Sequence, residues 1–325
     1  MKPRIYVTQP IPEKVFQLLA PIAKLEINPD AEHIPTKHEL LQGVHRNDIL
    51  FSRLSDVIDA DVIRINPDLK LIASMAIVPS AIDVPEATAR GIPISTVPPL
   101  TTEVTADLNW ALMLAVARNV VPADRAVRRG FFPGGQSMCF LGTGMAGKTL
   151  GILGLGLIGE AVARRAGGFG MKLLYHKRSR LAPGKEKEIQ AEFVPFEELL
   201  RRSDFLSVNI ASTGETHHMI GARELSLMKP DAYLVNTARG KIIDEKALVV
   251  ALRSGVIAGA GLDVYEHEPA VDPGLIELDT VVLTPHLGSA TLQVREAMGA
   301  VVVENIIAVI EGRRPPNICN PEIYS

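Results

Sequence analysis

The chain has 325 residues, is 47% hydrophobic and 22% charged, and carries a formal net charge of −3, values of a folded globular protein long enough for two domains. So small a net charge gives no sign of a nucleic-acid or membrane-surface role, and no apolar run approaches the ~20 residues needed to span a bilayer. Cys139 and Cys319 lack the spacing of a metal or redox motif, and the opening MKPRIYVTQ lacks a secretory apolar core, so no metal and a cytoplasmic setting are expected.

Strand and helix signals alternate from the start. Strands are predicted at Arg4 to Thr8, Lys24 to Ile27, Asp48 to Ser52, Lys70 to Ser74 and Ile92 to Thr96. Helices are predicted between them at Pro12 to Leu19, Thr36 to Gln42, Asp59 to Ile65 and Pro85 to Arg90. Such alternation builds a small parallel α/β domain. After Pro98 and Pro99, Thr101 and Thr102 can cap a helix from Glu103 to Asn119. Its Leu108, Ala111, Leu112, Ala115 and Val116 form an apolar stripe.

A glycine-rich loop, Gly130 to Gly147, leads to KTLGILGLGLIGEAVARR, with G-x-G-x-x-G at Gly154, Gly156 and Gly159. Thr149 to Leu153 reads as a buried strand and Ile158 to Ala166 as a helix, so the glycines fall between strand and helix. That context fits a dinucleotide-binding turn. Gly154 makes the tight turn, Gly156 admits a pyrophosphate, and Gly159 lets the helix pack on the strand. The free N–H groups and positive dipole end of the helix face the anion. The next strand, Met171 to Tyr175, is followed by His176, Lys177, Arg178, Ser179 and Arg180. A carboxylate for the ribose hydroxyls is absent there, and cations suited to a 2′-phosphate stand in its place, so NADP is expected, with NAD possible. Pro183 to Lys187 reads as a solvated loop.

Further strands are predicted at Phe205 to Ile210, Tyr233 to Asn236, Gly259 to Val264 and Thr280 to Thr284, with helices at Phe196 to Arg202, Ala222 to Met228 and Asp244 to Ser254. One long amphipathic helix, Thr291 to Glu311, can carry the chain back to the first domain. The expected fold class is α/β with two doubly wound parallel-sheet domains: a flavodoxin-like substrate domain, residues 1–102 plus 291–325, and an inserted Rossmann NAD(P)-binding domain, residues 103–290.

Ligands of such sheets bind beyond the carboxyl ends of the strands. Three polar residues stand there: Arg239 after YLVNTARG, Glu268 in GAGLDVYEHEP and His286 in VVLTPHLGS. A fixed cation, an acid and an imidazole are a working set for reducing a 2-oxo acid. Arginine offers a planar fork to a carboxylate and its adjacent carbonyl, and histidine titrates near neutral pH.

The segments TARGIPISTVPPLTTEVTADLNWALML, GKTLGILGLGLIGEAVARR, LMKPDAYLVNTARGKIIDEKALVVAL, AGAGLDVYEHEP and LTPHLGSAT together resemble those of the D-isomer-specific 2-hydroxyacid dehydrogenases, in the glyoxylate/hydroxypyruvate reductase branch. The resemblance covers nearly the whole chain. It implies an NADP-preferring oxidoreductase that gives a D-2-hydroxy acid, with Arg239 holding the substrate, His286 as acid/base and Glu268 as its partner. It also implies substrate contacts at Ile77 and Val78, and cofactor contacts at Thr105, Gly154, Leu155, Gly156, Leu157, Ile158, Gly159, Ala211, Ser212, Thr213, Thr237, Ala238, Arg239, Asp263, His286 and Gly288. Val78 stands where the family usually has glycine, with Pro79 after it, which bears on glyoxylate as the preferred acid. Ala211 and Gly214 replace usual prolines, which implies a more mobile cofactor loop. A homodimer joined through Glu103 to Asn119 and Val120 to Arg129 is expected. Some proteins of similar sequence are instead nucleotide-sensing scaffolds, an alternative opposed here by the lack of any added arm.

Overall fold

Short apolar runs supply five parallel strands: β1 (Arg4–Val7), β2 (Lys24–Ile27), β3 (Ile49–Ser52), β4 (Leu71–Ser74) and β5 (Ile94–Ser95), in the order β2-β1-β3-β4-β5. Taken by sequence the order is 2-1-3-4-5, the flavodoxin-like winding. In the computed structural model, which describes residues 2–325, these strands belong to a unit of Met1–Leu100 and Ala290–Ser325. Side chains alternate between two cores. Ile5 and Val7 join Phe51, Leu71 and Ala73 on one face, while Tyr6 joins Leu50 and Ile72 on the other. The helices that cover them are α1 (Glu13–Leu19), α2 (Lys37–Arg46), α3 (Ala60–Arg64) and α4 (Val84–Ala89). Thr36 and Glu39 form a capping box on α2, and the Asp59 and Asp83 carboxylates cap α3 and α4.

The second unit, Thr101–Ser289, begins with α5 (Thr102–Ala117) and α6 (Val120–Arg128). It continues through β6 (Thr149–Leu153), α7 (Leu157–Ala166), β7 (Lys172–His176), α8 (Pro183–Ile189), β8 (Ala191–Phe193), α9 (Phe196–Arg202) and β9 (Phe205–Val208). Then come α10 (Ala222–Leu227), β10 (Tyr233–Asn236), α11 (Glu245–Arg253), β11 (Gly259–Leu262), α12 (Pro273–Ile276) and β12 (Val281–Leu283). All seven strands are parallel, in the order β12-β11-β10-β9-β6-β7-β8. Counted from β6, that is the 3-2-1-4-5-6 Rossmann order with one strand added.

Three local expectations are corrected. Pro183 to Lys187 is not a loop but the start of α8, where Pro183 takes a first-turn position and Glu and Lys supply helix propensity without an apolar stripe. The apolar face of α5 is wider than predicted and turned from it: Ala106, Asn109, Trp110, Leu112, Met113, Val116 and Ala117 are buried, whereas Ala111 is exposed. The reason is that α5 is covered on two sides, by α7 and by the sheet. The β11 glycines make room for it, since a Cβ at Gly261 would lie 3.0 Å from the Leu112 Cβ. Trp110 stacks on Phe169 at 4.4 Å and donates to the Val162 carbonyl at 3.0 Å. The large apolar side chains of α5, Trp110, Leu112, Met113 and Val116, contribute about 1.5–3 kcal/mol each by burial.

Third, α13 (Leu292–Ile310) belongs to the first unit, and it is apolar nearly all round rather than amphipathic. It packs on α1 and on β4, and Gly299 allows contact with Val15, whose Cγ2 would lie 2.3 Å from a Cβ there. Among the described residues no helix is long and apolar enough to cross a membrane.

Candidate active site

At the turn between β6 and α7, Gly154 has φ +94°, and a Cβ there would meet the Asn209 carbonyl carbon at 2.7 Å. At Gly159 a Cβ would fall 2.2 Å from the Gly154 oxygen. Neither position admits a side chain. Gly156, in contrast, has nothing within 4 Å of a Cβ and faces open space. The Leu155, Gly156, Leu157 and Ile158 amides donate to no acceptor among the described residues. Free amides, an open approach and the positive end of a ten-residue helix fit the pyrophosphate of a dinucleotide.

Beyond β7, the basic run divides into three. Lys177 donates to the Leu155 carbonyl at 3.2 Å. The Arg180 guanidinium forks onto both Glu186 oxygens at 2.9 Å, and Glu186 also accepts from the Tyr175 hydroxyl at 2.5 Å. Arg180 is therefore held within α8's own network. Arg178 and Ser179 are exposed, and Arg178 makes no ion pair or hydrogen bond among the described residues.

At the carboxyl ends of β11 and β12 lies the acid–imidazole pair. His286 Nδ1 and Glu268 Oε2 are 2.8 Å apart, and the other Glu268 oxygen accepts the Tyr265 amide at 3.0 Å. Burial alone would raise the Glu268 carboxyl, but the His286 hydrogen bond and charge, the Tyr265 amide and the Arg239 charge together hold it below the ordinary glutamate value. An ionised carboxylate only accepts, so Nδ1 carries the proton and Nε2 is left without a partner among the described residues.

The His286 backbone is left-handed, at φ +56°, a strained state for a residue with a large side chain. Asp263 maintains it. This buried carboxylate accepts the Thr284 hydroxyl at 2.6 Å, the Leu287 amide at 2.6 Å and the Gly288 amide at 2.9 Å. Its carbonyl also accepts the His286 amide at 2.9 Å, and the Thr105 hydroxyl donates to the Gly288 carbonyl at 2.8 Å.

Arg239, after β10, is exposed, and among the described residues its guanidinium donates only to the Ala238 carbonyl, at 2.6 Å. It influences Glu268 by charge but makes no hydrogen bond to Glu268 or His286. The following Gly240 has no room for a side chain, since a Cβ would fall 1.9 Å from the Tyr265 carbonyl carbon. Beneath Arg239 is a polar group that the sequence reading missed. Asn109 donates to Thr237 Oγ1 and accepts from Ser207 Oγ, both at 3.0 Å, and Asn209 reaches Ser207 at 2.9 Å. The signal available was one asparagine inside the apolar LNWALML of α5. The loop of Ala211, Ser212 and Thr213 is closed by Thr216, whose hydroxyl donates to the Ala211 carbonyl at 2.7 Å and accepts the Thr213 amide at 2.8 Å.

In the first unit, the Ile77 and Val78 amides follow β4 and donate to no acceptor among the described residues. Both side chains are exposed, Val78 at 53%. Arg53, following β3, was also missed. It donates to the Pro10 carbonyl at 2.5 Å and leaves Nε buried and without a partner among the described residues, with the Arg295 charge close enough to lower its pKa beyond the larger effect of burial.

Residues 110–288 match the family described as "D-isomer specific 2-hydroxyacid dehydrogenase, NAD binding domain". A glyoxylate reductase of Thermococcus litoralis is 46% identical, covering 100% of this chain and 99% of that protein. A solved structure from Thermus thermophilus is 40% identical with a TM-score of 0.89, covering 97% of this chain and 99% of its own. An NADPH-dependent glyoxylate/hydroxypyruvate reductase from Sinorhizobium meliloti, solved with citrate, is 29% identical with a TM-score of 0.80 and covers 98% of this chain and 97% of its own.

The role given to Asp263 has a direct test. In Asp263→Asn the amide brings a donor toward three donors, so stability falls by about 1–3 kcal/mol. Hydrogen-exchange protection of the Leu287 and Gly288 amides falls with it. Thermal unfolding and exchange rates equal to those of the parent would refute this account of the turn.

Proposed function

The chain belongs to the D-isomer-specific 2-hydroxyacid dehydrogenase family, and on that premise we propose that it reduces the 2-oxo group of a small 2-oxo acid of the glyoxylate or hydroxypyruvate type, using NADPH, to the D-2-hydroxy acid. In this reading residues 103–290 form the dinucleotide domain, and residues 1–102 with 291–325 the substrate domain. The observation that carries it is the 2.8 Å pair of His286 and Glu268. Glu268 holds Nδ1, so doubly protonated His286 presents the Nε2 proton to the oxygen that becomes the hydroxyl, and the carboxylate stabilises the imidazolium that must give it up. When bound, the nicotinamide cofactor supplies the hydride. Arg239, with most of its donors uncommitted, binds the substrate carboxylate and polarises the 2-oxo group. The free Ile77 and Val78 amides support carboxylate binding by the first unit.

Arg239→Ala and His286→Ala are expected to lower kcat about 100-fold or more while NADPH affinity stays nearly unchanged. The assay is NADPH absorbance with glyoxylate and with hydroxypyruvate. Parental kcat in either variant would remove that residue from the mechanism.

For the cofactor, exposed and unpaired Arg178, with Ser179, is the main recognition element for a 2′-phosphate. Arg180 contributes only by exchanging Glu186 for the phosphate. A hydrogen bond to a charged group is worth about 1.5–3 kcal/mol, less at so exposed a site. Arg178→Ala should therefore lower kcat/KM for NADPH about 10-fold, leave NADH nearly unaffected, and do so less at high salt. A parent enzyme that already favours NADH would overturn the preference.

A homodimer is proposed through α6 and the segment after it. The apolar face of α5 is buried within its own unit, and its exposed side pairs Glu103 and Asp107 with Arg164 and Arg165. By contrast α6 has no buried residue, and Phe132, Met138 and Leu141 are 77%, 80% and 63% exposed, an apolar surface that a second copy would cover. Light scattering should give twice the 35.1 kDa of one chain. A mass of one chain at micromolar concentration would exclude the dimer.

A further inference from the structure

Three imidazoles gather around one carboxylate in the second unit, on residues distinct from the pair of His286 and Glu268. His218 Nε2 lies 2.7 Å from Glu266 Oε1, and His267 Nε2 lies 3.9 Å from the same oxygen. The His217 ring stacks on His218 with centroids 4.0 Å apart. A donor atom from each of His217, His218 and Glu266 lies within 4.8 Å of the others. We propose that these three residues bind one divalent transition-metal ion of the zinc type, with His267 within reach as a fourth donor.

An imidazole–carboxylate hydrogen bond accounts for His218 and Glu266. His217 and His267 reach the same place as the chain neighbours of His218 and Glu266, and the donor atom of His217 lies within 4.8 Å of those of His218 and Glu266. The donors come from distant parts of the chain, the loop after β9 and the loop after β11, and each is anchored independently. The His218 amide donates to the Lys241 carbonyl at 2.9 Å, and its backbone is left-handed at φ +50°. The Glu266 amide donates to the buried Glu245 carboxylate at 2.6 Å, and the Glu266 side chain is only 14% exposed. Only His217 and His267 are freely exposed.

The donor set selects the ion. Two nitrogens and one carboxylate, with one position open or closed by His267, match zinc and its neighbours. Magnesium and calcium require a shell of oxygens that a single carboxylate cannot supply. Tetrahedral zinc at ~2.0–2.1 Å from nitrogen requires donors about 3.3 Å apart. The present spread therefore has to close by rotation of the exposed His217 ring, while His218 Nε2 and Glu266 Oε1, now hydrogen-bonded at 2.7 Å, have to move slightly apart to admit the ion. Occupancy would tie the loop carrying Ala211 to Thr213 to the loop carrying Glu268.

The test uses tag-free, full-length protein freed of metal with a chelator, then titrated with Zn2+ by calorimetry and with Co2+ by visible absorption. The expected result is saturable binding of one Zn2+ per chain, with a tetrahedral Co2+ spectrum. His217→Asn and Glu266→Gln should each weaken binding about 100-fold, and Mg2+ should not compete. His217 is exposed, so its variant keeps the fold even where a change at Glu266 does not. Absence of saturable binding, displacement by equimolar Mg2+, or undiminished affinity in His217→Asn would each overturn the proposal. Zn2+ should also raise the melting temperature of the parent and raise that of His217→Asn markedly less at the same concentration. Neither readout depends on the proposed reduction.

Discussion

The candidate site depends on one buried carboxylate. Asp263 directly follows β11 and accepts three donors from the turn Thr284 to Gly288, which fixes a backbone that would otherwise relax away from φ +56° at His286. Burial raises its pKa even against those three bonds. The folded state therefore tolerates an electrostatically unfavourable group for the sake of geometry. Everything attributed to His286, including which ring nitrogen faces outward, follows from where that turn is held.

The second constraint is steric, and it acts where backbones approach closely. Gly154 and Gly159 bring α7 against β6, Gly240 lets the β10 turn lie on Tyr265, and Gly259 and Gly261 admit α5 to the sheet. These contacts set the depth of the strand ends at which polar side chains emerge. A packed interior transmits such spacings with little compliance. The polar residues can then sit on turns without losing register.

Much of this was legible in the sequence, because parallel strands buried on both faces are short apolar runs and glycine-rich turns are rare enough to locate. ILFS, LIAS and YLVN fall where they were expected, and the alternation of elements announces two parallel sheets, though the order of strands within each needed the fold. Residues without an apolar period were misread. PGKEKEI forms a helix through propensity and a first-turn proline, with only Ile189 buried. The stripe of α5 was misplaced in rotation and α13 was taken as amphipathic, since a helix covered on two sides has no single stripe to read. Within the site, Glu268 and His286 were visible as strand-end residues, whereas the dependence of that pair on Tyr265 and Asp263 required the fold. The engagement of Arg180 by Glu186 was hidden for the same reason: a charge run does not reveal which of its members is already partnered.

Asn109 has a consequence for how α5 is positioned along its own axis. The helix is apolar over most of its surface, so packing alone would distinguish poorly between placements one residue apart. Asn109 is fully buried and bonds both Ser207 and Thr237. Any slip would leave Asn109 and Thr237 without these partners in an apolar interior, at about 1–3 kcal/mol each, and Ser207 with only its bond from Asn209. The asparagine thus acts as a register pin. Thr105, one turn earlier, is by that means delivered to the Gly288 carbonyl, so the far end of the histidine turn takes its position from a residue that touches neither the turn nor the imidazole.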